Sequence, residues 1–164
     1  MSGIGTQKRL SKKRRIGEIM DCMYRRDAMY PELRENDNAF ASLIAMVWLF
    51  LADDRIHPAD ARILRRLYVP VIKLRGDDIL FISERFTRCR MEQCHIDWLL
   101  SFLSTSISSE HRTGFIRKMW AIAYSDTKLC QTEMEVIDRA ASIFASTGHE
   151  AEQLRNEAKE LTDS

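Results

Sequence analysis

Glycine and proline are scarce in this chain of 164 residues, which contains six Gly and three Pro. A turn-rich β protein needs many of both at its turns, so the composition argues against that class. Apolar residues recur at helical spacing and nowhere alternate at period two over the length of a strand. The longest uninterrupted apolar run, Leu43 to Ala52, has ten residues, whereas a membrane-spanning helix needs about 20. We therefore predict an all-α protein without a membrane-spanning helix.

Sparse cysteines and missing catalytic motifs limit the function classes. Cys22, Cys89, Cys94 and Cys130 form no dense disulfide framework, and free thiols in a reducing cytoplasm are the default for such a chain. The C-x4-C-H run that ends at His95 offers three zinc ligands, but we favour ordinary core or surface thiols. Neither a G-x-x-x-x-G-K-[ST] phosphate loop nor an H-E-x-x-H motif is present. We therefore expect a cytoplasmic protein that is not an enzyme.

Positive charge is concentrated at the start of the chain. Residues 1–15 contain six basic residues and no acidic one, whereas the rest of the chain has 19 basic against 24 acidic residues. We predict that residues 1–15 form a disordered basic arm on an acidic body. The residues that would contact an anionic partner are Lys8, Arg9, Lys12, Lys13, Arg14 and Arg15.

Two interpretations of this basic arm are open. It is either a solvated tail or a segment that binds phosphate groups, with each basic residue near an anionic membrane contributing about 1 kcal/mol. The second interpretation predicts a peripheral adaptor that docks on an anionic membrane or on nucleic acid, with the helical body as a spacer. Aromatic residues are not interleaved with the basic ones, so we do not expect nucleic-acid bases to be recognised.

Helical periodicity predicts seven or eight helices between residues 16 and 161. We expect them to pack as a single-domain bundle, followed by a short tail of residues 162–164. The predicted helices cover about residues 16–26, 37–53, a segment that starts at Pro58, 78–88, 92–105, a segment that starts at Ser109, 131–147 and 149–161.

The second and third predicted helices carry the clearest signals. The second, which ends near Asp53, is apolar on all sides, and this is typical of a buried central helix. Pro58 suits the first turn of the third helix, where its missing N–H costs nothing. We expect Pro70 to kink or end that helix, because it removes a helical hydrogen bond.

The stretch from Leu49 to Arg62 has a second copy, Ile122 to Glu135, and one constant offset in sequence relates the two. Each copy contains an acid, a short polar turn with one aliphatic residue, and a second acid. The common offset inside matching helical periodicity predicts a duplicated helix-turn-helix unit. The aligned pairs include Asp53 with Asp126, Asp60 with Glu133, Met46 with Met119, Val47 with Trp120, and Leu64 with Ile137.

The second acid of each copy suits a helix cap. If His57 and Cys130 are the cap residues, Asp60 and Glu133 fall at the third helical position. A carboxylate at that position can accept the backbone N–H of the cap residue, as in a capping box. The sequence favours this interpretation over metal binding but does not exclude the latter.

Metal binding is the alternative interpretation of the acidic turns. Asp53 and Asp60 would act as ligands from one hairpin, and Asp126 and Glu133 from the other. Carboxylate oxygens suit Ca²⁺ or Mg²⁺. An EF-hand is excluded in both copies, because apolar or aromatic residues such as Leu49 stand where that loop needs oxygen ligands.

The acidic turns resemble the repeated A-D-G-x-I-x-x-x-E signature of the tellurite-resistance TerB family. The resemblance covers about residues 37–161 and implies an all-helical fold with an acidic face that binds divalent metal. It also implies a role in bacterial stress and tellurium-resistance systems, often near membranes, and a domain that works by binding a protein partner. The matching positions are Ala52, Asp53, Ile56 and Asp60 in the first copy and Asp126, Leu129 and Glu133 in the second.

Overall fold

A computed structural model describes residues 2–28, 30, 32–51, 58–125, 131–144 and 148–163. The described residues form helices joined by turns, with no β-strand among them, so the all-α prediction is confirmed. The helices are α1 (Ser2–Arg25), α2 (Asp37–Leu51), α3 (Pro58–Ile72), α4 (Gly76–Arg88), α5 (Gln93–Ser106), α6 (Ser109–Ser125), α7 (Gln131–Phe144) and α8 (Gly148–Asp163).

The second helix, α2, is the centre of the bundle. It packs against α1, α3, α4, α5, α6 and α7, and Leu43, Ile44, Met46 and Val47 are fully buried. A helix that is apolar on every side must be covered on every side, so the sequence pattern and the packing agree. None of the helices in the described part of the chain combines the length and the apolar character needed to cross a bilayer.

The internal repeat is larger than the two acidic turns suggested. Helix α3 begins at Pro58 and α7 at Gln131, and these two positions are separated by the same number of residues as the two acidic turns. Each of the two helices packs against the helix that precedes it in the sequence. The next helix of each copy, α4 or α8, packs against the two helices that precede it in that copy. The helices α2, α3 and α4 therefore correspond to α6, α7 and α8. The two hairpins meet because α2 packs against both α6 and α7.

The predicted basic arm of residues 1–15 overlaps the first helix, because α1 begins at Ser2 and continues to Arg25. Ile16, Ile19, Met20 and Met23 are fully buried against the bundle, which fixes the second half of the helix. Extending an existing helix towards its N-terminus costs far less free energy than starting a new one. The helical spacing of apolar residues begins only at Ile16, so it gives no sign of this extension.

Of the two alternatives for Pro70, a kink or an end of α3, the structure rules out an end at that residue, because α3 continues to Ile72. Lys73 then takes a left-handed φ of 51° and donates its N–H to the carbonyl of Val69 at 2.9 Å. Pro70 therefore sits in the last turn, where its missing N–H removes only one helical bond.

Candidate functional site

The described acids of the two turns lie at equivalent places. Asp60 is the third residue of α3 and Glu133 is the third residue of α7. Asp60 is half-buried and Glu133 is 8% exposed. Both helices pack against α2, but α3 and α7 do not pack against each other in the described part of the chain. The two acids are therefore carried by helices that are neighbours of one central helix.

The predicted metal ligands are only partly within the described structure. Asp53 and Asp126, like the predicted cap residues His57 and Cys130, lie outside the described residues. Among the residues that are described, no three His, Cys, Asp or Glu side chains converge as a metal site would require. The four-acid cation site stays a prediction.

Two other helices of the bundle show how residues at this third position are used. Asp78 is the third residue of α4, and its carboxylate accepts the N–H of Arg75 at 2.9 Å. His95 is the third residue of α5, and its Nδ1 atom accepts the N–H of Glu92 at 3.0 Å. Each bond satisfies a donor that has no partner within its helix. The pattern supports the capping interpretation of Asp60 and Glu133.

The predicted anion-binding residues of the basic segment lie in α1, and two of them face inward. Lys12 Nζ lies 2.7 Å from the Oδ2 atom of Asp78, which is only 1% exposed, and also donates to the carbonyl of Lys73 at 3.0 Å. Lys12 therefore connects the end of α3 to the start of α4. Its positive charge offsets the cost of burying the Asp78 carboxylate.

Arg15 forms the second inward contact. Its Nε and Nη2 atoms donate to Oδ1 and Oδ2 of Asp37 at 2.8 and 2.7 Å, a bidentate pair at the first residue of α2. Arg15 also donates to Glu18 and to the carbonyl of Glu32, each at 2.8 Å. The hydrogen bond to buried Asp37 raises the pKa of Arg15 above its ordinary value.

Of the other four basic residues of the segment, the structure describes the side chains of Lys13 and Arg14, and both lie near surface acids. Lys13 pairs with Asp77 at 2.9 Å on the surface and lowers the pKa of that carboxyl. Arg14 has an 83% exposed side chain and lies 3.7 Å from Glu18. Lys8 and Arg9 lie in the helical part of α1, and their side chains lie outside the described structure. Anionic-partner binding through all six residues stays a prediction.

A protein-family model described as tellurite resistance protein TerB matches residues 36–156. The match covers most of the chain, including both acidic turns and the helices from α2 to α7. The chain belongs to the TerB family. None of the curated proteins and none of the solved structures compared with the chain matches it significantly.

In this TerB-family chain, α1 precedes the matched range yet is part of the bundle. Its apolar residues are buried in the same core as those of α2 and α5, and Lys12 and Arg15 pair with acids at the starts of α4 and α2. The bundle of this TerB-family protein therefore includes a basic helix, in which Lys12 and Arg15 pair with buried carboxylates.

The TerB-family domain has a basic surface on α3 that was not predicted from the sequence. Arg62, Arg65 and Arg66 are exposed, and among the described residues no carboxylate forms an ion pair with them. Together with Val69 and Pro70 they line a shallow, open hollow of about 410 Å³. The spacing of the three arginines, at i, i+3 and i+4, places them on one side of a helix. That spacing was the available sequence signal.

Proposed function

We propose that this TerB-family domain acts in a stress response of the tellurite-resistance type by binding a partner protein, without catalysing a reaction. The observation that carries the proposal is the outward side of α3. There, three exposed arginines line a hollow with Val69, which is 40% exposed, and Val71, farther round the helix, is 55% exposed. Aliphatic side chains next to exposed arginines are characteristic of surfaces that bind other proteins.

A cation at the acidic turns is a second element of the proposal. Asp53 and Asp60 would bind Ca²⁺ or Mg²⁺ from the first hairpin, and Asp126 and Glu133 from the second. Support comes from the equivalent positions of Asp60 and Glu133 and from the contact of both hairpins through α2. A bound cation would fix the turns that precede α3 and α7, and so the position of the α3 surface.

Docking on an anionic membrane or on nucleic acid through the basic segment is less well supported. Lys12 and Arg15 are occupied with buried carboxylates of the bundle, and Lys13 pairs with Asp77. Using Lys12 or Arg15 for an external phosphate would leave a buried acid without its partner, which is costly. We therefore place the partner surface on α3 and the main role of α1 in the fold.

The test of partner binding is recovery of a partner from the native host. The chromosomal copy carries an affinity tag, cells are grown with and without tellurite, and proteins that co-purify are quantified. A second strain carries Arg66→Glu with Val71→Asp, and a control strain carries Lys118→Glu, an exposed charge reversal on α6. We expect one partner to be retained by the wild type and the control and lost from the α3 variant. Equal recovery in all three strains would contradict the proposal.

A further inference from the structure

The two copies of the repeat offer an internal comparison of α3 with α7. When the two copies are aligned so that Asp53 matches Asp126, four further pairs of residues correspond: Ile63 and Val136, Leu67 and Ala140, Pro70 and Ile143, and Val71 and Phe144. These four positions lie on one side of each helix, because residues three, four, seven and eight apart share a face. Each helix therefore carries an equivalent apolar stripe.

The stripe of α7 is largely covered, whereas the stripe of α3 is open at its C-terminal end. Val136, Ala140 and Phe144 are buried, with Phe144 only 6% exposed. Ile63 and Leu67 are partly buried against the core, whereas Pro70 is exposed and Val71 is 55% exposed. In the described part of the chain α3 packs against α2 and α4 only, while α7 packs against α5 and α2 as well as its own repeat partners α6 and α8.

An ion pair joins α5 to α7 at the edge of the α7 stripe. Arg139 of α7 donates from Nε and Nη2 to the two carboxylate oxygens of Asp97 on α5, at 3.0 and 2.6 Å. Arg66 is the equivalent residue of α3. It is exposed beside its own apolar stripe, and no carboxylate of the described residues pairs with it. The first repeat therefore has both features that hold α5 on α7, without a helix in that place among the described residues.

We propose that the open side of α3 binds an amphipathic α-helix of a partner protein, in the manner in which α5 packs on α7. The partner helix carries apolar residues that cover Ile63, Leu67 and Val71, and an Asp or Glu that pairs with Arg66 as Asp97 pairs with Arg139. Arg62, on the same edge as Arg66, selects for a further acid. This inference rests on the proposed function of partner binding and specifies the chemistry of the partner.

Charge favours a helix over an extended polyanion at this surface. A membrane or a nucleic acid would face the domain over a wide area, and the whole chain, α1 included, is nearly neutral, with 25 basic against 24 acidic residues. A single helix would cover only the arginine side of α3. The acidic residues elsewhere on the domain would repel it little, because charges are screened over about 8 Å at physiological ionic strength. Covering the apolar stripe also requires an apolar surface on the partner, which phosphate groups do not provide.

The test uses a phage-displayed library of helical peptides with leucine at i, i+3, i+4 and i+7 and random residues elsewhere. The library is selected on the full chain, and the affinities of the enriched peptides are measured by fluorescence anisotropy. We expect enrichment of Asp and Glu next to the leucine stripe, and binding that Arg66→Glu or Val71→Asp weakens about tenfold or more. Lys118→Glu, the matched charge reversal on α6, should leave binding unchanged.

A charge exchange then separates direct pairing from a loss of folding. Replacing the selected acid of the peptide with Lys should restore binding to Arg66→Glu, whereas a misfolded variant would bind neither peptide. Selected peptides that bind Arg66→Glu and Val71→Asp as well as they bind the wild type would overturn the proposal. Enrichment without acidic residues, or binding of phosphatidylserine vesicles through the same arginines in place of peptides, would also overturn it.

The inference and the proposed function can fail separately. A native partner that is retained by the α3 variant and binds through another surface would overturn the inference but not the function. Peptide binding that depends on Arg66, together with no partner in native cells, would leave the surface assigned and remove the proposed function.

Discussion

Lys12 Nζ lies 2.7 Å from Asp78 Oδ2, and this contact joins the first helix of the chain to the start of the fourth. The Asp78 carboxylate also accepts the Arg75 N–H at 2.9 Å. Asp78 thus caps α4 and neutralises Lys12 at the same time. A basic segment that looks like a solvated tail in the sequence is a structural element of the bundle.

We expect Lys12→Ala to lower the free energy of unfolding by about 2–3 kcal/mol, because it leaves a buried carboxylate with no counter-charge. Urea unfolding monitored by circular dichroism measures the change. The double variant Lys12→Met with Asp78→Asn removes both charges and should be less destabilised than Lys12→Ala. A loss below about 0.5 kcal/mol, the range of ordinary surface changes, would show that the pair is unimportant.

The apolar side of α1 gives a second stability prediction. Met20 is fully buried, so Met20→Ala should cost about 2–5 kcal/mol through lost burial and the cavity left behind. Arg14→Ala on the same helix, where the side chain is 83% exposed, should change stability by less than about 0.5 kcal/mol. Thermal and urea unfolding compare the two variants. Equal, small effects would mean that α1 does not pack on the bundle in solution.

The pair of Asp97 and Arg139 predicts a pH dependence. The hydrogen bond from Arg139 lowers the pKa of Asp97, so the folded pKa lies below the unfolded value of about 3.9. The pair therefore adds stability above the unfolded pKa, and this contribution is lost as the pH falls through the folded pKa. Both side chains are partly exposed, so Arg139→Gln should cost only roughly 0.5–1 kcal/mol at neutral pH.

An NMR titration of the Asp97 carboxyl checks this assignment directly. We expect its pKa to rise in Arg139→Gln and to stay unchanged in Arg90→Gln, a control at an exposed position of the turn after α4. The stability difference between the wild type and Arg139→Gln should shrink as the pH falls below the unfolded pKa. A difference that grows on acidification would contradict the sign of the linkage.

Calorimetric titration of the metal-stripped protein with Ca²⁺ and Mg²⁺ tests the acidic turns. We expect saturable binding that is absent from the double variant Asp53→Asn with Asp126→Asn. Asp138→Asn with Glu152→Gln, which changes two exposed acids elsewhere, is the matched control and should bind like the wild type. If neither the parent nor the variant binds metal, Asp60 and Glu133 act as helix caps only, and the loss of either should cost about 0.5–2 kcal/mol.

Several features of the fold were predictable because they depend on neighbours in sequence. The all-round apolar pattern of α2 determined its central position, and Pro58 marked the first residue of α3. The constant offset between the two acidic turns predicted the duplication, which the starts of α3 and α7 reproduce. A third-position acid that can cap its own helix is likewise a local property, which is why the capping alternative for Asp60 and Glu133 followed from the sequence.

The partners of the charged residues and the coverage of the helices were decided only by the tertiary structure. Periodicity reports that a helix side is apolar but not which helix will cover it, and for this reason the equivalent stripes of α3 and α7 could not be told apart. A run of lysine and arginine has the same composition whether it is solvated or paired, so Lys12 and Arg15 gave no sign of Asp78 and Asp37. These contacts depend on packing between segments distant in sequence, and that packing alone places a carboxylate within reach of each cation.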